Sequence, residues 1–376
     1  MKKHKSSNNN FINFNIFSFL STFVRSLIEI FISLYLFKKG FSIKSIVLFY
    51  FVANLLAIPI AYIYAKIGEK TKYSYIMIFG YISFIVLQII LRHAVISNYY
   101  ILLIAFMYSL YRRGYWVSRR FYITNVMPDK KSSCRFLFVI FGGQGAKILS
   151  GYVGSLLLGS ASMLTMIIIS SIILFISLIP LSKITYESKH QKIELFKNLK
   201  KSSFKNLLAF SFFELDDLIA YLFPIYIAIY INTTYTLAGN LNALNNVAII
   251  IFSIIYAKII NEKRNYFVLS TLLVIISALL KLSVTNYLIL IVYFIDGIIL
   301  MIHNQSNNKI YFEERNNIDP THQSLIYQVV ECVSRSFVAL FLLLFIKDVK
   351  SMILVVNLFI LIMLSVYLVL DGKRKE

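Results

Sequence analysis

Twelve apolar runs, each about 20 residues long, follow one another along this chain of 376 residues. A helix of about 20 apolar residues is long enough to cross the hydrocarbon core of a bilayer. Charged residues make up only 15% of the chain, whereas they make up about 25% of an ordinary soluble domain. The sequence therefore predicts an all-α, multi-pass membrane protein. The predicted spans are 14–37, 43–65, 73–91, 98–122, 136–158, 161–181, 206–230, 237–259, 266–284, 287–311, 323–346 and 349–370.

The runs fall into two groups of six, separated by one long basic connection at 182–205. The phrase Tyr-Ala-Lys-Ile-Gly-Glu-Lys at 64–70 recurs almost unchanged at 256–263, an offset of 192 residues, and Pro128 and Pro320 have the same separation. In membrane proteins such repeats are typical of transporters, whose site lies between the two halves. We therefore predict two pseudo-symmetric six-helix bundles joined by a cytoplasmic linker. The predicted parts are 1–181, 182–205 and 206–376.

Lysine and arginine residues set the predicted orientation of the spans. If the N-terminus is cytoplasmic, 28 of the 38 basic residues fall on the cytoplasmic side and seven fall outside. Basic residues favour cytoplasmic loops, so we expect both termini in the cytoplasm and the protein in the plasma membrane. The same distribution accounts for the net charge of +21 without any binding of nucleic acid. The first apolar run is too long for the core of a signal peptide, which predicts an uncleaved first span.

The basic loop between the second and third spans resembles a signature of the major facilitator superfamily, Gly-x-x-x-Asp-Arg/Lys-x-Gly-Arg/Lys-Arg/Lys. Lys66, Gly68 and Lys70 match it, whereas Ala65 stands at the aspartate position and Glu69 at a basic position. The resemblance implies the facilitator fold over essentially the whole chain, a monomer, and a gating role for this loop. In the superfamily the aspartate helps to latch the cytoplasmic side. Ala65 cannot do so, which leaves Glu69 or other groups as the latch.

A second resemblance concerns the fourth and fifth spans. The stretch from Gly114 to Asp129, followed by a glycine-rich fifth span, resembles little-characterised members of the superfamily from low-GC Gram-positive bacteria.

Nine ionisable side chains lie inside the predicted spans. A charge facing lipid at the middle of the bilayer costs about 2.5–3.5 kcal/mol on insertion scales, and nine such costs would exceed a typical folding stability of about 5–15 kcal/mol. We therefore expect these groups to face a watery cavity or one another. Their balance of three bases and six acids favours protons or a cationic substrate. They are Arg25, Glu29, Lys147, Glu214, Asp216, Asp217, Asp296, Glu331 and Arg335.

Spacing suggests how some of these charges are arranged. Arg25 and Glu29 are four residues apart, as are Glu331 and Arg335, so each pair shares one face of its helix. Local ion pairs and a lining of the transport pathway are both consistent with this spacing. Asp217 lies 192 residues after Arg25, so the repeat places them opposite each other across a central cavity. There a carboxylate could couple proton movement to transport, unless the seventh span begins later and leaves its acids among headgroups.

Other polar residues of the spans are also candidates for the pathway. Arg112 and Arg113 lie deep in the fourth span and could reach substrate or the acids of the seventh. Asp296 and His303 are seven residues apart, two turns of one helix face, which is consistent with a proton relay or a simple contact between helices. Lys147 in the fifth span could serve as a fixed cation or as the partner of an acid.

The chain contains no phosphate-binding loop and no hydrolytic motif, so we expect no enzymatic activity and no cofactor. No second His or Cys has metal-ligand spacing near His303. These observations favour a secondary active transporter, coupled to protons, that moves a small molecule across the bilayer by alternating access. Import, efflux and an antiport mechanism are left open. A lipid or glycolipid flippase and a non-transporting membrane assembly factor are the alternatives.

The predicted orientation can be tested with single cysteines at positions 95 and 195, after Cys134 and Cys332 have been replaced by serine. In intact cells a membrane-impermeant maleimide should label position 95 and leave position 195 unlabelled until the membrane is opened. Labelling of position 195 from outside would contradict the orientation.

Overall fold

A computed structural model describes residues 2–126, 132–160, 162–184, 204–231, 235–259, 266–284, 288–314 and 320–372. In these ranges the chain forms twelve helices that coincide with the twelve predicted spans, which confirms the all-α fold. They are α1 (Lys2–Glu29, resumed after a short break by Ile32–Lys38), α2 (Ile43–Lys70), α3 (Tyr73–His93), α4 (Asn98–Val126), α5 (Ser132–Ser160), α6 (Met163–Ser182), α7 (Phe204–Tyr230), α8 (Tyr235–Ile259), α9 (Phe267–Ser283), α10 (Leu288–Glu314), α11 (Pro320–Phe345) and α12 (Val349–Gly372).

Local sequence signals determine where these helices end. Between α1 and α2, Gly40 has a φ of +92°, a backbone conformation that residues with a Cβ rarely adopt. The side chain of Ser42 then accepts a hydrogen bond from the Ser45 N–H and caps α2, and Ser162 caps α6 in the same way. Such N-caps contribute about 1 kcal/mol each. A glycine turn and a serine cap therefore separate two long apolar helices within a few residues.

The helices present apolar side chains on their outer surface. On α6 the exposed residues Ile168, Ile172, Phe175, Ile176 and Ile179 recur every three or four positions, so they form one stripe along the helix. In water so large an apolar patch would be a liability, but in lipid it is favourable. Within the described part of the chain, eight helices are long and apolar enough to cross a membrane, which supports a multi-span membrane protein.

Contacts between helices repeat with a shift of six. In the first bundle α1 packs on α6 and α2 packs on α4; in the second, α7 packs on α12 and α8 packs on α10. Between the bundles, α2 packs on α11 and α5 packs on α8, and a twofold axis exchanges these two interfaces. The predicted pair of pseudo-symmetric bundles is therefore confirmed. The linker residues 185–203 lie outside the described part of the chain, so its exact bounds stay a prediction.

Helices that follow one another in the chain run in opposite directions, which defines two ends of the molecule. At one end Lys39, just after α1, donates a hydrogen bond of 2.6 Å to the carbonyl oxygen of Arg92 in the last turn of α3. We call this end the opposite face. We call the end where α1 begins and α12 finishes the terminal face; it is the side predicted to be cytoplasmic.

Glycine allows the two bundles to approach closely at the interface of α5 and α8. Gly239 of α8 lies directly against the carbonyl oxygen of Gly151 and the side chain of Ser155, both on α5. A Cβ at position 239 would overlap these atoms, so the helices could not keep their present separation. Gly142, also on α5, has nothing within 4 Å of the equivalent Cβ position.

Replacement of these two glycines by alanine should therefore have opposite effects on stability. Gly239→Ala overpacks the interface and should destabilise the protein by roughly 1–3 kcal/mol. Gly142→Ala should be neutral or slightly stabilising, because alanine favours helix by about 1 kcal/mol over glycine. Melting temperatures of the two purified variants in detergent measure the difference. Equal melting temperatures would contradict the close packing of α5 on α8.

Candidate functional site

Asp217, halfway along α7, joins the two bundles through its carboxylate. Its Oδ2 atom accepts a hydrogen bond of 3.0 Å from Arg112 Nη2 on α4 and one of 2.5 Å from Arg335 Nη2 on α11. Arg112 belongs to the first bundle, and Asp217 and Arg335 belong to the second. The Asp217 side chain is nevertheless 44% exposed, whereas that of Arg335 is 0% exposed. The carboxylate therefore faces an open space between the bundles, as expected of a cavity.

Three tyrosines cover this ion pair on the side of the opposite face. Tyr221 lies one turn beyond Asp217 on α7 and stacks on Tyr50 of α2, with ring centroids 4.3 Å apart. The hydroxyl groups of Tyr221 and Tyr108 are hydrogen-bonded at 3.1 Å, and Arg112 Nη1 donates to Tyr221 at 2.9 Å. Both bundles contribute to this tyrosine cluster, so it closes the space beside Asp217 toward the opposite face.

Arg25 and Glu29 form the local ion pair that their spacing predicts, at 3.7 Å. The Tyr111 hydroxyl donates a hydrogen bond of 2.9 Å to Glu29, and the Arg25 guanidinium lies over the rings of Tyr115 and Trp116. The Arg25 Nε and Nη1 atoms are buried and have no hydrogen-bond acceptor among the described residues. Arg25 is therefore held in place mainly by ring faces, with donors unused.

Lys147 on α5 interacts electrostatically with Glu29, Asp217 and Arg25. It therefore lies within range of both ion-pair groups. None of the hydrogen bonds or ion pairs found among the described residues involves its ammonium group. The structure thus brings six predicted pathway residues into one central charge cluster, which consists of Arg25, Glu29, Arg112, Lys147, Asp217 and Arg335.

Closer to the terminal face, α4 makes a second set of contacts with α11. Arg120 Nη2 lies 2.9 Å from Glu331 Oε1, and its Nη1 donates to the carbonyl oxygen of Ser324 at 3.3 Å. Arg113 Nη1 donates to Gln328 Oε1 at 3.3 Å. The spacing of Glu331 and Arg335 left open a local ion pair or a lining of the pathway, and the structure pairs each of them with a residue on another helix.

The predicted gating loop lies beside this second contact. Ala65, which stands at the aspartate position of the signature, lines the same small pocket as Arg120. Lys66 pairs with Glu69 of the same helix at 2.7 Å. Gly68 is buried against the ring of Tyr73, and Lys70 is exposed. The contact between α4 and α11 lies beside this loop, and the gating role of Lys66, Gly68, Glu69 and Lys70 stays a prediction.

Asp296 and His303 lie inside the second bundle, where both face α9. The Asp296 carboxylate accepts from Lys281 at 2.6 Å, from Asn245 at 2.7 Å and from Ser277 at 2.5 Å. His303 Nδ1 lies 3.2 Å from the Ser270 hydroxyl. These are the contacts between helices that sequence spacing left open as the alternative to a relay. A role in the pathway stays a prediction for both.

The remaining predicted acids of α7 differ in what the structure describes. Asp216 is partly exposed and interacts electrostatically with Asp296 and Lys281, so it belongs with the second bundle's own charges. The side chain of Glu214 lies outside the described residues.

Sequence reasoning missed several participants. Arg120 and Lys281 lie near the ends of predicted spans and were not among the candidates, but both pair with carboxylates inside the protein. Long basic side chains can reach several ångströms along a helix, so their position in the sequence does not locate the charge. Tyr50, Tyr108 and Tyr221 carried no signal, because tyrosine is common throughout the chain.

Solved structures with this architecture share little sequence with the chain. One is a variant of the nucleoside transporter NupG, with a TM-score of 0.70 and 11% identity over 96% of this chain and 99% of that one. A bacterial homologue of the human drug peptide transporters PepT1 and PepT2 has a TM-score of 0.71 and 11% identity, over 98% and 99%. A bacterial homologue of the human lysosomal transporter Spinster, inward-facing and occupied, has a TM-score of 0.67 and 12% identity, over 96% of each chain.

These proteins have the fold of the major facilitator superfamily, and the chain shares that fold. No protein-family model and no curated protein sequence matches the chain. Because one fold can serve many functions, the function has to be inferred from the charge cluster.

The buried pair of Lys281 and Asp296 predicts a double-mutant result. Lys281→Met should destabilise the protein by about 3–5 kcal/mol, because it leaves an uncompensated buried carboxylate. Lys281→Met combined with Asp296→Asn should recover much of that loss, because the charge is gone and an acceptor remains for Asn245. Melting temperatures of the four proteins complete the cycle. If the double variant is no more stable than Lys281→Met, the pair does not stabilise the second bundle.

Proposed function

We propose that this protein is a secondary transporter that works by alternating access, with Asp217 at the centre of its cycle. The observation that carries the proposal is the position of the Asp217 carboxylate, which bridges Arg112 of one bundle and Arg335 of the other in an open space. A contact that only held the bundles together would be better made from apolar groups, because burying charges is costly. A charged contact beside an open space can break and re-form.

The tyrosine cluster of Tyr50, Tyr108 and Tyr221 supports one closed gate in this conformation. It lies between Asp217 and the opposite face and is built from both bundles. Opening it requires α7 to move away from α2 and α4, which is a rocking of one bundle against the other. In transporters built from repeats, such a motion exposes a central site alternately to the two sides of the membrane.

Proton coupling follows from the chemistry of the bridge. An ionised Asp217 attracts both arginines, and a proton on the carboxylate would weaken both contacts. The charged groups that face it are Arg112 on α4, Lys147 on α5, and Arg335 and Glu331 on α11. Because three of these four are cations, proton uptake requires that the arginines first move away or find another anion. Glu29 and Glu214 are the next candidates for the coupling acid.

Spin-label distances test alternating access without knowledge of the substrate. In a protein without cysteines, one pair of labels replaces Tyr99 and Leu288 at the opposite face, and a second pair replaces Tyr75 and Leu269 at the terminal face. All four residues are exposed. Asp217→Asn, which keeps the size and removes the charge, should lengthen one distance and shorten the other. In proteoliposomes the same variant should abolish uptake driven by a pH gradient.

Asp348→Asn provides the matched control, since Asp348 is an exposed carboxylate in the turn before α12. Hydrogen bonds from the Ser351 side chain and backbone hold the pKa of Asp348 below its usual range, so it stays ionised between about pH 5 and about pH 8. The control should keep wild-type distances and their pH dependence. If both distances are unchanged in Asp217→Asn and across this pH range, the protein does not work by alternating access about Asp217.

A further inference from the structure

We propose that the substrate is an organic anion, whose carboxylate or phosphate group replaces the Asp217 carboxylate between Arg112 and Arg335. The inference rests on the proposed transport function and adds the chemical class of the substrate. It reverses the expectation from the sequence, which counted three bases against six acids and favoured a cation.

The charge balance around Asp217 in the structure differs from the count of three bases and six acids made from the sequence. The central charge cluster contains four cations, Arg25, Arg112, Lys147 and Arg335, and two anions, Glu29 and Asp217. Its net charge is therefore +2 among the described residues. Several acids that the sequence count included have partners elsewhere. Asp296 pairs with Lys281 inside the second bundle, and Glu331 pairs with Arg120 near the terminal face.

The two arginines at Asp217 share one negative charge. Both donate to the same oxygen, Oδ2, at 3.0 and 2.5 Å, so their guanidinium groups lie close together. Without a negative charge between them they would repel each other in a medium that screens charge poorly. When Asp217 leaves in the proposed transport cycle, another anion in its place would keep the two guanidinium groups from repelling each other. Guanidinium groups bind carboxylates and phosphates with paired hydrogen bonds, which defines the class of ligand.

Donors without a partner also belong to the central charge cluster. The Lys147 ammonium makes no hydrogen bond or ion pair within the described part of the chain, yet lies within electrostatic range of Asp217. Two buried N–H groups of Arg25, on Nε and Nη1, have no acceptor in that part either. A buried donor without a partner is costly. An anion with several oxygens, or with two acidic groups, would satisfy the arginine pair and the Lys147 ammonium together.

This arrangement also links the anion to a proton. An anion that displaces Asp217 from Arg112 and Arg335 leaves the carboxylate without its cations. A carboxylate in that position gains a proton more readily. One anionic group and one proton would then occupy the cavity together, and for a singly charged anion the charge of the cluster would be the same as before binding. The substrate itself would thus supply the step that releases the arginines from Asp217.

Matched probes that differ mainly in charge test the class of ligand. Glutarate is compared with cadaverine, which has the same five-carbon chain and two amines, and glucose 6-phosphate is compared with glucose. Calorimetric titration of the purified full-length protein should show binding of glutarate or glucose 6-phosphate and none of cadaverine or glucose. Lys147→Met should weaken anion binding roughly tenfold or more, the loss of one charged hydrogen bond. Lys44→Met, which removes an exposed lysine at the start of α2, should bind as the wild type does.

Asp217→Asn separates displacement from simple attraction. If the anion takes the place of the carboxylate, removal of that competitor should tighten anion binding, measured as a lower dissociation constant for the same anion. The proposal is overturned if cadaverine or glucose binds as well as its anionic counterpart. It is also overturned if neither anion binds, or if Asp217→Asn weakens anion binding. Anions that bind but are not transported by proteoliposomes, with unchanged spin-label distances, would instead overturn the transport function and keep the anion site.

Discussion

The Asp217 carboxylate accepts hydrogen bonds from Arg112 and Arg335, and at this point the two six-helix bundles meet through ions instead of apolar side chains. A charge that faces lipid costs about 2.5–3.5 kcal/mol on insertion scales, so the contact is compatible with a membrane only if the helices enclose it. Several features enclose it. Apolar side chains cover the outer faces, the two bundles pack in the same repeated pattern, and the tyrosine cluster lies beside the ion pair. The Asp217 side chain is 44% exposed, so water can reach the carboxylate inside this enclosure.

Two kinds of contact join the bundles, and they suit different tasks. At the interface of α5 and α8, Gly239 lies against the backbone of Gly151 and the side chain of Ser155, so the two helices approach closely. At α4 and α11 the contacts are long polar side chains, such as Arg120 with Glu331. Close backbone packing can act as a pivot because it changes little as helices tilt. Long ion pairs can break on one side and re-form, which is the property a gate needs.

Much of the architecture was readable from the sequence alone. The length and hydropathy of each run predicted all twelve helices, because the cost of placing a backbone in lipid is met within each helix. The offset of 192 residues between the two copies of one phrase predicted the pseudo-symmetry. Spacing also predicted the pair of Arg25 and Glu29, since four residues make one turn. In each case the interaction that decides the outcome is local in the chain.

The charge of the cavity was not readable in this way, because it depends on which helices pack together. Glu331 and Arg335 have the spacing of a local pair, yet the structure gives them partners on α4 and α7. Lys281 and Arg120 lie near span ends in the sequence, and the length of their side chains carries the charge back into the bundle. The sequence by itself therefore determined the helices, their repeat and the need for a central polar space. Only the tertiary structure decided that the described charges around this space are net positive, because ion pairing between helices is set by packing over distances of a hundred residues or more along the chain.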